Sequence, residues 1–362
     1  MFNPFKFLKQ SVAPDVLGVD IGTTSIKAVE VVAGERGPRL ANYAYLASKN
    51  SVSRANTVLQ ASSLKLFEDD AANLLKELMK KMKPNTDRAI ASIPNFLTFS
   101  TVLTFPEMSD SELNKSMAYQ AKQYIPMPIS EVVLEWVKIG ETENENGAKE
   151  QQILLISVPR EETAKYQNIF KKAGLSLGAL EIEAFSLARC LVGEDKSMTL
   201  IVDIGSRATA FVIVEGGKLR FMGHTDFAGA SITQALVSAL NINPVRAEEL
   251  KRERGVAGTG PNYELSTIMI PFLDVIIEEA KRVVRSYETQ FVLAPKIERV
   301  MLSGGGANLP GIEKHFARQF ELPIVKAAPF LRFEYSPIIE PVVGELNPML
   351  SVAMGLALRE IS

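Results

Sequence analysis

The tetrapeptide Val-Asp-Ile-Gly occurs twice in the chain, at Val19–Gly22 and again at Val202–Gly205. Thr23, Thr24 and Ser25 follow the first copy; Ser206, Arg207 and, after Ala208, Thr209 follow the second. A carboxylate beside a glycine turn, followed by hydroxyls, suits a metal–phosphate site. Gly22 and Gly205 let the backbone bend so that N–H groups face phosphate oxygens. Asp20 and Asp203 would repel phosphate directly, so their useful role is to hold Mg²⁺ through water. A tight hairpin needs the same glycine with no ligand at all. The repeat favours the chemical reading: the two aspartates lie 183 positions apart, about half the chain, so two hairpins can clamp phosphates between two lobes.

A third glycine motif, Ser-Gly-Gly-Gly-Ala-Asn from Ser303 to Asn308, follows the apolar run Arg-Val-Met-Leu. Gly304, Gly305 and Gly306 let a flat ligand face approach the backbone. A strand-to-helix turn of an α/β fold can carry the same glycines for packing alone. The P-loop pattern is absent and no GxGxxG follows the first strand, which excludes a P-loop ATPase and a simple dinucleotide-binding domain.

The positioning elements follow from pattern. Residues 16–33 and 199–218 each read as a strand, a small-residue turn and a returning strand. Leu74, Leu75, Leu78 and Met82 share one face of a helix over 67–83. From about Asn95 the character changes. Ser109 or Asp110 can cap a helix running to Tyr124, two strands flank a polar turn, and a helix from Glu161 to Ala173 stops at Gly174. The expected division is a first lobe of residues 1–91 and 174–196, an inserted subdomain of 92–173 and a second lobe of 197–362.

The length of 362 residues suits two domains of roughly 150 residues each. Forty basic against 42 acidic residues give a net charge of −2, which argues against nucleic acid as partner. A single cysteine, Cys190, excludes an internal disulfide, and two histidines, His224 and His315, make a zinc site improbable. No apolar run is long enough to span a membrane. Phe2, Phe5, Phe7 and Leu8 alternate with Lys6 and Lys9 in a segment that could touch a membrane surface or a partner. These features point to the cytoplasm.

Two Asp-Ile-Gly hairpins followed by a triple-glycine turn resemble the actin, Hsp70 and sugar-kinase superfamily. LTFPEMSDSELNKSMAYQAKQYIPMPISEVVLEWVKIGE, LLISVPREETAKYQNIFKKAGL, ALEIEAFSLAR, AEELKRE and NPMLSVAMGLALRE further resemble the PilM family of type IV pilus assembly. The resemblance runs from about Leu17 to Glu360. It implies an α/β actin-like fold of two duplicated RNase H-like lobes with an FtsA-type inserted subdomain in the first. It implies ATP with Mg²⁺ in the cleft. Asp20, Gly22, Thr23, Thr24 and Ser25 fall on the first phosphate hairpin, with Lys27 as a further contact or a solvated strand lysine. Asp203, Gly205 and Ser206 fall on the second. Gly304, Gly305, Gly306 and Asn308 fall on the adenosine turn, and Glu278, Lys281 and Arg282 on the helix that meets ribose and adenine.

Glu183 falls where the superfamily orients an attacking water and could act as general base. Glu181 and Glu183 share parity on a strand, so either can reach the cleft. The second hairpin has Ser-Arg-Ala-Thr where many members have a glycine-rich run, so slow or absent hydrolysis is expected. The implied partner is the N-terminal cytoplasmic peptide of PilN, held in a groove between the first lobe and the insert, near Gln123 to Glu131. Through PilN the protein would link PilO, PilP and the motor machinery at the inner membrane. Two other readings fit the hairpins: a small-molecule kinase of the carbohydrate-kinase branch and an FtsA-like cell-division protein. The first lacks an evident substrate lobe. The second is expected to carry a C-terminal membrane helix that this sequence does not show.

Overall fold

The structure is a computed structural model that describes residues 15–35, 37–47, 64–143, 147–257, 263–291 and 295–361. The aromatic and basic residues near the N-terminus lie outside that set. Strand β1 (Asp15–Ile21) turns into β2 (Ser25–Ala33), and β3 (Pro38–Ala47) extends the antiparallel run. Helix α1 (Leu64–Met82) leads into β4 (Arg88–Ile93). After β4 come β5 (Phe99–Pro106), α2 (Asp110–Tyr124), β6 (Val132–Glu143) and β7 (Lys149–Pro159). Helix α3 (Arg160–Ala173) and β8 (Ser176–Ile182) return to the first sheet, whose order is β3-β2-β1-β4-β8. Val16, Leu17 and Val19 of β1 are all fully buried, the continuous apolar run of a strand covered on both faces.

The short helix α4 (Glu183–Leu187) and a π-helical turn carry the chain to the second lobe. There β9 (Thr199–Ile204), β10 (Thr209–Glu215) and β11 (Lys218–Thr225) repeat the antiparallel run. Helices α5 (Gly229–Leu240), α6 (Pro244–Arg254) and α7 (Tyr263–Gln290) follow. Then come β12 (Arg299–Ser303), α8 (Ile312–Gln319), β13 (Ile324–Lys326) and α9 (Glu340–Leu358). The second sheet has the order β11-β10-β9-β12-β13, the same topology as the first. Each lobe thus carries an aspartate one residue before the end of its central strand, Asp20 in β1 and Asp203 in β9.

The insert is a three-stranded sheet, β5-β7-β6, with α2 on one face. Leu103, Phe105, Leu113, Met117 and Ile153 form its own small core. Ser109 caps α2 in a reciprocal arrangement with Glu112, which satisfies two N-terminal backbone donors. Trp136 packs against this core and donates its Nε1 hydrogen to Asn114 Oδ1 at 3.1 Å. The opposite sheet face, including Val133, Val137 and Ile156, packs on the main body.

The division into lobes differs from the expected one in two places. Helix α3 belongs to the first lobe: Tyr166, Ile169 and Phe170 join the main core, and Lys172 pairs with Glu68 and Asp69 of α1. The insert therefore ends near Pro159, not at 173. Helix α9 also returns to the first lobe. A Cβ on Gly18 would lie 1.9 Å from the Ala353 carbonyl oxygen, so β1 and α9 touch backbone to backbone and only glycine fits there. Residues 337–358 form the one described helix long and apolar enough to cross a membrane, but 67% of its most apolar 18 residues are buried inside the protein.

Candidate functional site

Both hairpins close in the same way. Gly22 N–H donates to the Ser25 carbonyl at 2.9 Å, and Gly205 N–H donates to the Ala208 carbonyl at 3.1 Å. Helix α5 docks on the second turn, with Gly229 N–H on the Gly205 carbonyl and Ala230 N–H on the Ser206 carbonyl. Thr209 is used structurally, its hydroxyl donating to the Phe227 carbonyl at 2.7 Å. Across the first hairpin Asp20 faces Lys27; across the second Asp203 faces Ala210.

The cross-strand pairing decides where Lys27 goes. Its Nζ lies 2.7 Å from Asp20 Oδ2, and both side chains are mostly buried. Ser92, at the end of β4, donates its hydroxyl to Asp20 Oδ1 at 3.1 Å. Burial works against the Lys27 charge, but Asp20, then Asp203 and Glu183, outweigh it and raise the ammonium above its usual range. Glu183 is the first residue of α4, not part of β8, which resolves the choice between two glutamates. Glu181 is taken by Arg189, with nitrogen–oxygen distances of 2.9 and 2.8 Å, and by Ser186. Glu183 instead accepts from the Asn95 backbone N–H at 3.3 Å.

Burial, then the Asp20 and Asp203 charges, push the Glu183 carboxyl up to about 8. Burial also lifts Asp203 to about 6, opposed by the Ser303 hydroxyl and Lys27 and reinforced by Asp20. Three carboxylates from both lobes thus share one ammonium. That deficit of positive charge suits a divalent cation. Among the described residues no three such groups converge to hold an ion by themselves. The residues present therefore fit a metal held through water and a ligand's phosphates, not a closed protein cage.

The triple-glycine turn splits into two roles. Gly304 has φ +79°, and a Cβ there would lie 2.5 Å from the Ile204 carbonyl oxygen; one on Gly306 would lie 2.3 Å from the Ile204 side chain. Those two glycines pack the turn onto the end of β9. Gly305 has nothing within 4 Å of a Cβ position, so its open face is the one a ligand can approach. Asn308 is engaged elsewhere, donating its amide to the Glu345 carbonyl at 2.8 Å.

Glu278, Lys281 and Arg282 are not brought to this cluster. Lys281 pairs with exposed Glu278 at 2.9 Å and lies over the Phe320 ring, beyond the far end of α8 from the glycine turn. Arg282 pairs with Glu279. The same Glu-Glu-x-Lys-Arg phrase occurs at 248–252 in α6, and this copy reaches the site. Lys251 donates to the Gly229 carbonyl at 3.0 Å and pairs with Glu248 at 2.6 Å, beside the second hairpin. Just past α6, Val256 N–H bonds the Pro310 carbonyl after the glycine turn.

Sequence reasoning also missed Ser92, Asn95 and Tyr166. Asn95 is buried, accepts from Ala184 N–H through Oδ1 and finds no partner for Nδ2 among the described residues. Tyr166 of α3 sits in the same environment, its hydroxyl pushed well above the usual range by burial and then by Glu183 and Asp20. Arg207 reaches back across the cleft, its guanidinium 5.0 Å from the Phe96 ring. Cys190 is fully buried and its thiol is pushed up to about 12, so it is a packing residue.

Residues 18–361 match the family described as type IV pilus assembly protein PilM. The chain belongs to the PilM family. That membership sets aside the small-molecule kinase and cell-division readings. A solved PilM–PilN type IV pilus biogenesis complex is similar with a TM-score of 0.78 and 23% identity, covering 96% of this chain and 98% of that one. The ethanolamine utilization protein EutJ from Carboxydothermus hydrogenoformans has a TM-score of 0.57 and 17% identity, over 98% and 91% of the two chains. MreB5 of Spiroplasma citri bound to AMPPNP has a TM-score of 0.54 and 13% identity, over 96% of each chain. The two-lobed actin-like fold that the resemblance implied is therefore the fold of this PilM-family chain.

Proposed function

We propose that this PilM-family protein binds ATP with Mg²⁺ between its two hairpins and, through its insert, captures the N-terminal cytoplasmic peptide of PilN. The observation that carries the nucleotide half is the part-buried cluster of Asp20, Lys27, Glu183 and Asp203, drawn from both lobes. Asp20 and Asp203 would hold the hydrated metal. The hydroxyls of Thr23, Thr24, Ser25 and Ser206 and the N–H groups of both turns would face the phosphates. Lys251, Glu248 and the open face of Gly305 would border the nucleoside. Bound Mg²⁺ supplies neutralisation of phosphate charge; the protein supplies position and exclusion of water. Glu183 would be the residue that orients a water, and its burial beside Asp20 and Asp203 favours its protonated form. Turnover should therefore be slow, with ATP acting mainly to set the lobe arrangement.

The partner half rests on the insert, which the fold places against the first lobe as a separate small core. Between them runs a slot walled by β6 and β7 on one side and by β8 and α4 on the other. Gln123 to Glu131 do not line it; they lie at and just past the end of α2, on the other face of the insert's sheet. Through PilN the protein would join PilO, PilP and the motor machinery from the cytoplasmic face of the inner membrane. Calorimetry on the full chain tests both halves, with ATP–Mg²⁺ and with a synthetic N-terminal PilN peptide as separate titrants. Saturable binding of each is expected. Absence of either would remove the corresponding half.

A further inference from the structure

Strand β6 alternates between two environments. Leu134 and Trp136 pack towards α2, whereas Val133, Val137 and Ile139 pack towards the main body. Glu135 falls in the second set, an acid in an otherwise apolar stripe. It lines the slot between insert and first lobe together with Val137, Ile156, Leu180, Phe185 and Arg359. No hydrogen bond to its carboxylate is made by the described residues. Of the cations nearby, Arg189 is bonded to another acid, and Arg359 acts on Glu135 by its charge without a hydrogen bond between them. Arg189 holds Glu181 with two nitrogens, and Arg359, just past α9, lies 3.5 Å from the same carboxylate. A carboxylate half-buried beside apolar walls without a bonded partner is costly to keep.

The slot itself is narrow. Its volume is about 20 Å³, room for one water, so an incoming side chain must part the insert from the first lobe. The strand beside it, β6, is an edge of the insert sheet, a natural track for an extended segment.

We propose that Glu135 is the specificity determinant of this slot: its carboxylate pairs with a cationic nitrogen of the docked segment, while an adjacent aliphatic side chain takes the apolar walls. The inference rests on the partner reading above and deepens it. The cationic nitrogen is either a Lys or Arg side chain or the amino terminus of the segment. A charge-assisted hydrogen bond in a partly dry slot then favours a basic residue beside an aliphatic one over neutral sequences. Apolar burial pushes the Glu135 carboxyl up to about 7, against the Arg359 charge. Cation capture needs the ionised form. Affinity for a permanently cationic segment should therefore rise from pH 6 to pH 8, by no more than tenfold per unit.

The test is calorimetry on the full chain with a synthetic N-terminal PilN peptide, wild type against Glu135→Gln. Two peptide arms separate the sources of the cation: one with an acetylated amino terminus, the other with each Lys or Arg replaced by glutamine in turn. Glu135→Gln should weaken binding by roughly tenfold or more. The peptide lacking the critical charge should bind both proteins equally, and the rise with pH should vanish in the variant. Matched melting curves confirm that Glu135→Gln is folded. Tight wild-type binding that Glu135→Gln leaves unchanged overturns the Glu135 assignment alone. No wild-type binding overturns the partner reading, and this assignment falls with it.

Discussion

The two hairpins close their turns in the same way and differ in what faces the aspartate. Asp20 faces Lys27, while Asp203 faces Ala210. The first carboxylate is neutralised by its own hairpin and further held by Ser92. The second has a hydroxyl partner in Ser303, and burial raises it to about 6. One carboxylate is thus paired within its own hairpin, while the other has no cation across its hairpin. Glu183, between them, feels both charges and rises further, to about 8.

The largest effect should come from making the hairpins alike. Lys27→Met would leave buried Asp20 and part-buried Asp203 and Glu183 without their ammonium. It should cost about 3–5 kcal/mol in urea denaturation at neutral pH, the usual penalty for breaking a buried pair. Lowering the pH should restore part of it by protonating the carboxylates.

The next effect concerns protons. Glu183 and Asp203 are raised above their ordinary values, so the native protein binds more protons than the unfolded chain between about pH 4 and 8. Their contribution to stability is then greatest at the acid end of that window and falls as pH rises through 6 and 8. The expected fall is on the order of 3 kcal/mol between pH 5 and pH 8 without ligand. Glu183→Gln should remove most of it, and Asp203→Asn a smaller part. Melting profiles that rise with pH across this window would contradict the buried-cluster account.

The smallest effect belongs to the turns. Arg207 occupies the position of Thr24 in the other hairpin and stacks on Phe96. Arg207→Thr makes the second turn resemble the first. It should cost about 0.5–1 kcal/mol, the range for an exposed cation–π contact, in equilibrium unfolding.

Local features were legible in the sequence. The Asp-Ile-Gly repeat, a cap at Ser109 or Asp110 and the Gly174 stop each depend on a few neighbouring residues; the cap is Ser109, and Gly174 has φ +79°. Long-range allegiance was not legible. Nothing local tells α9 to return to β1, although Gly18 and the small residues of α9 are what allow it. The Glu-Glu-x-Lys-Arg phrase shows the same limit most sharply. Its copies at 248–252 and 278–282 have identical spacing, and only packing sends the first beside the hairpin and the second to the surface. Glu181 and Glu183 looked equivalent because strand parity was assumed to continue; the strand ends at Ile182. Glu135 was readable as an acid in an apolar alternation, but its slot exists only once the insert is docked.

The central claim is that both lobes contribute to one ATP–Mg²⁺ site. The most direct measurement is the rise in melting temperature with ATP–Mg²⁺ for wild type, Asp203→Ala and Gly305→Val. The glycine variant has open space for its new side chain and should fold normally, so a lost response reports on ligand approach. A nucleotide bound between the hairpins stabilises the wild type by mass action, about 2.7 kcal/mol at a hundred times Kd. A clear rise is expected for wild type and little or none for either variant. An equal rise in all three proteins would place any bound nucleotide somewhere other than between the hairpins.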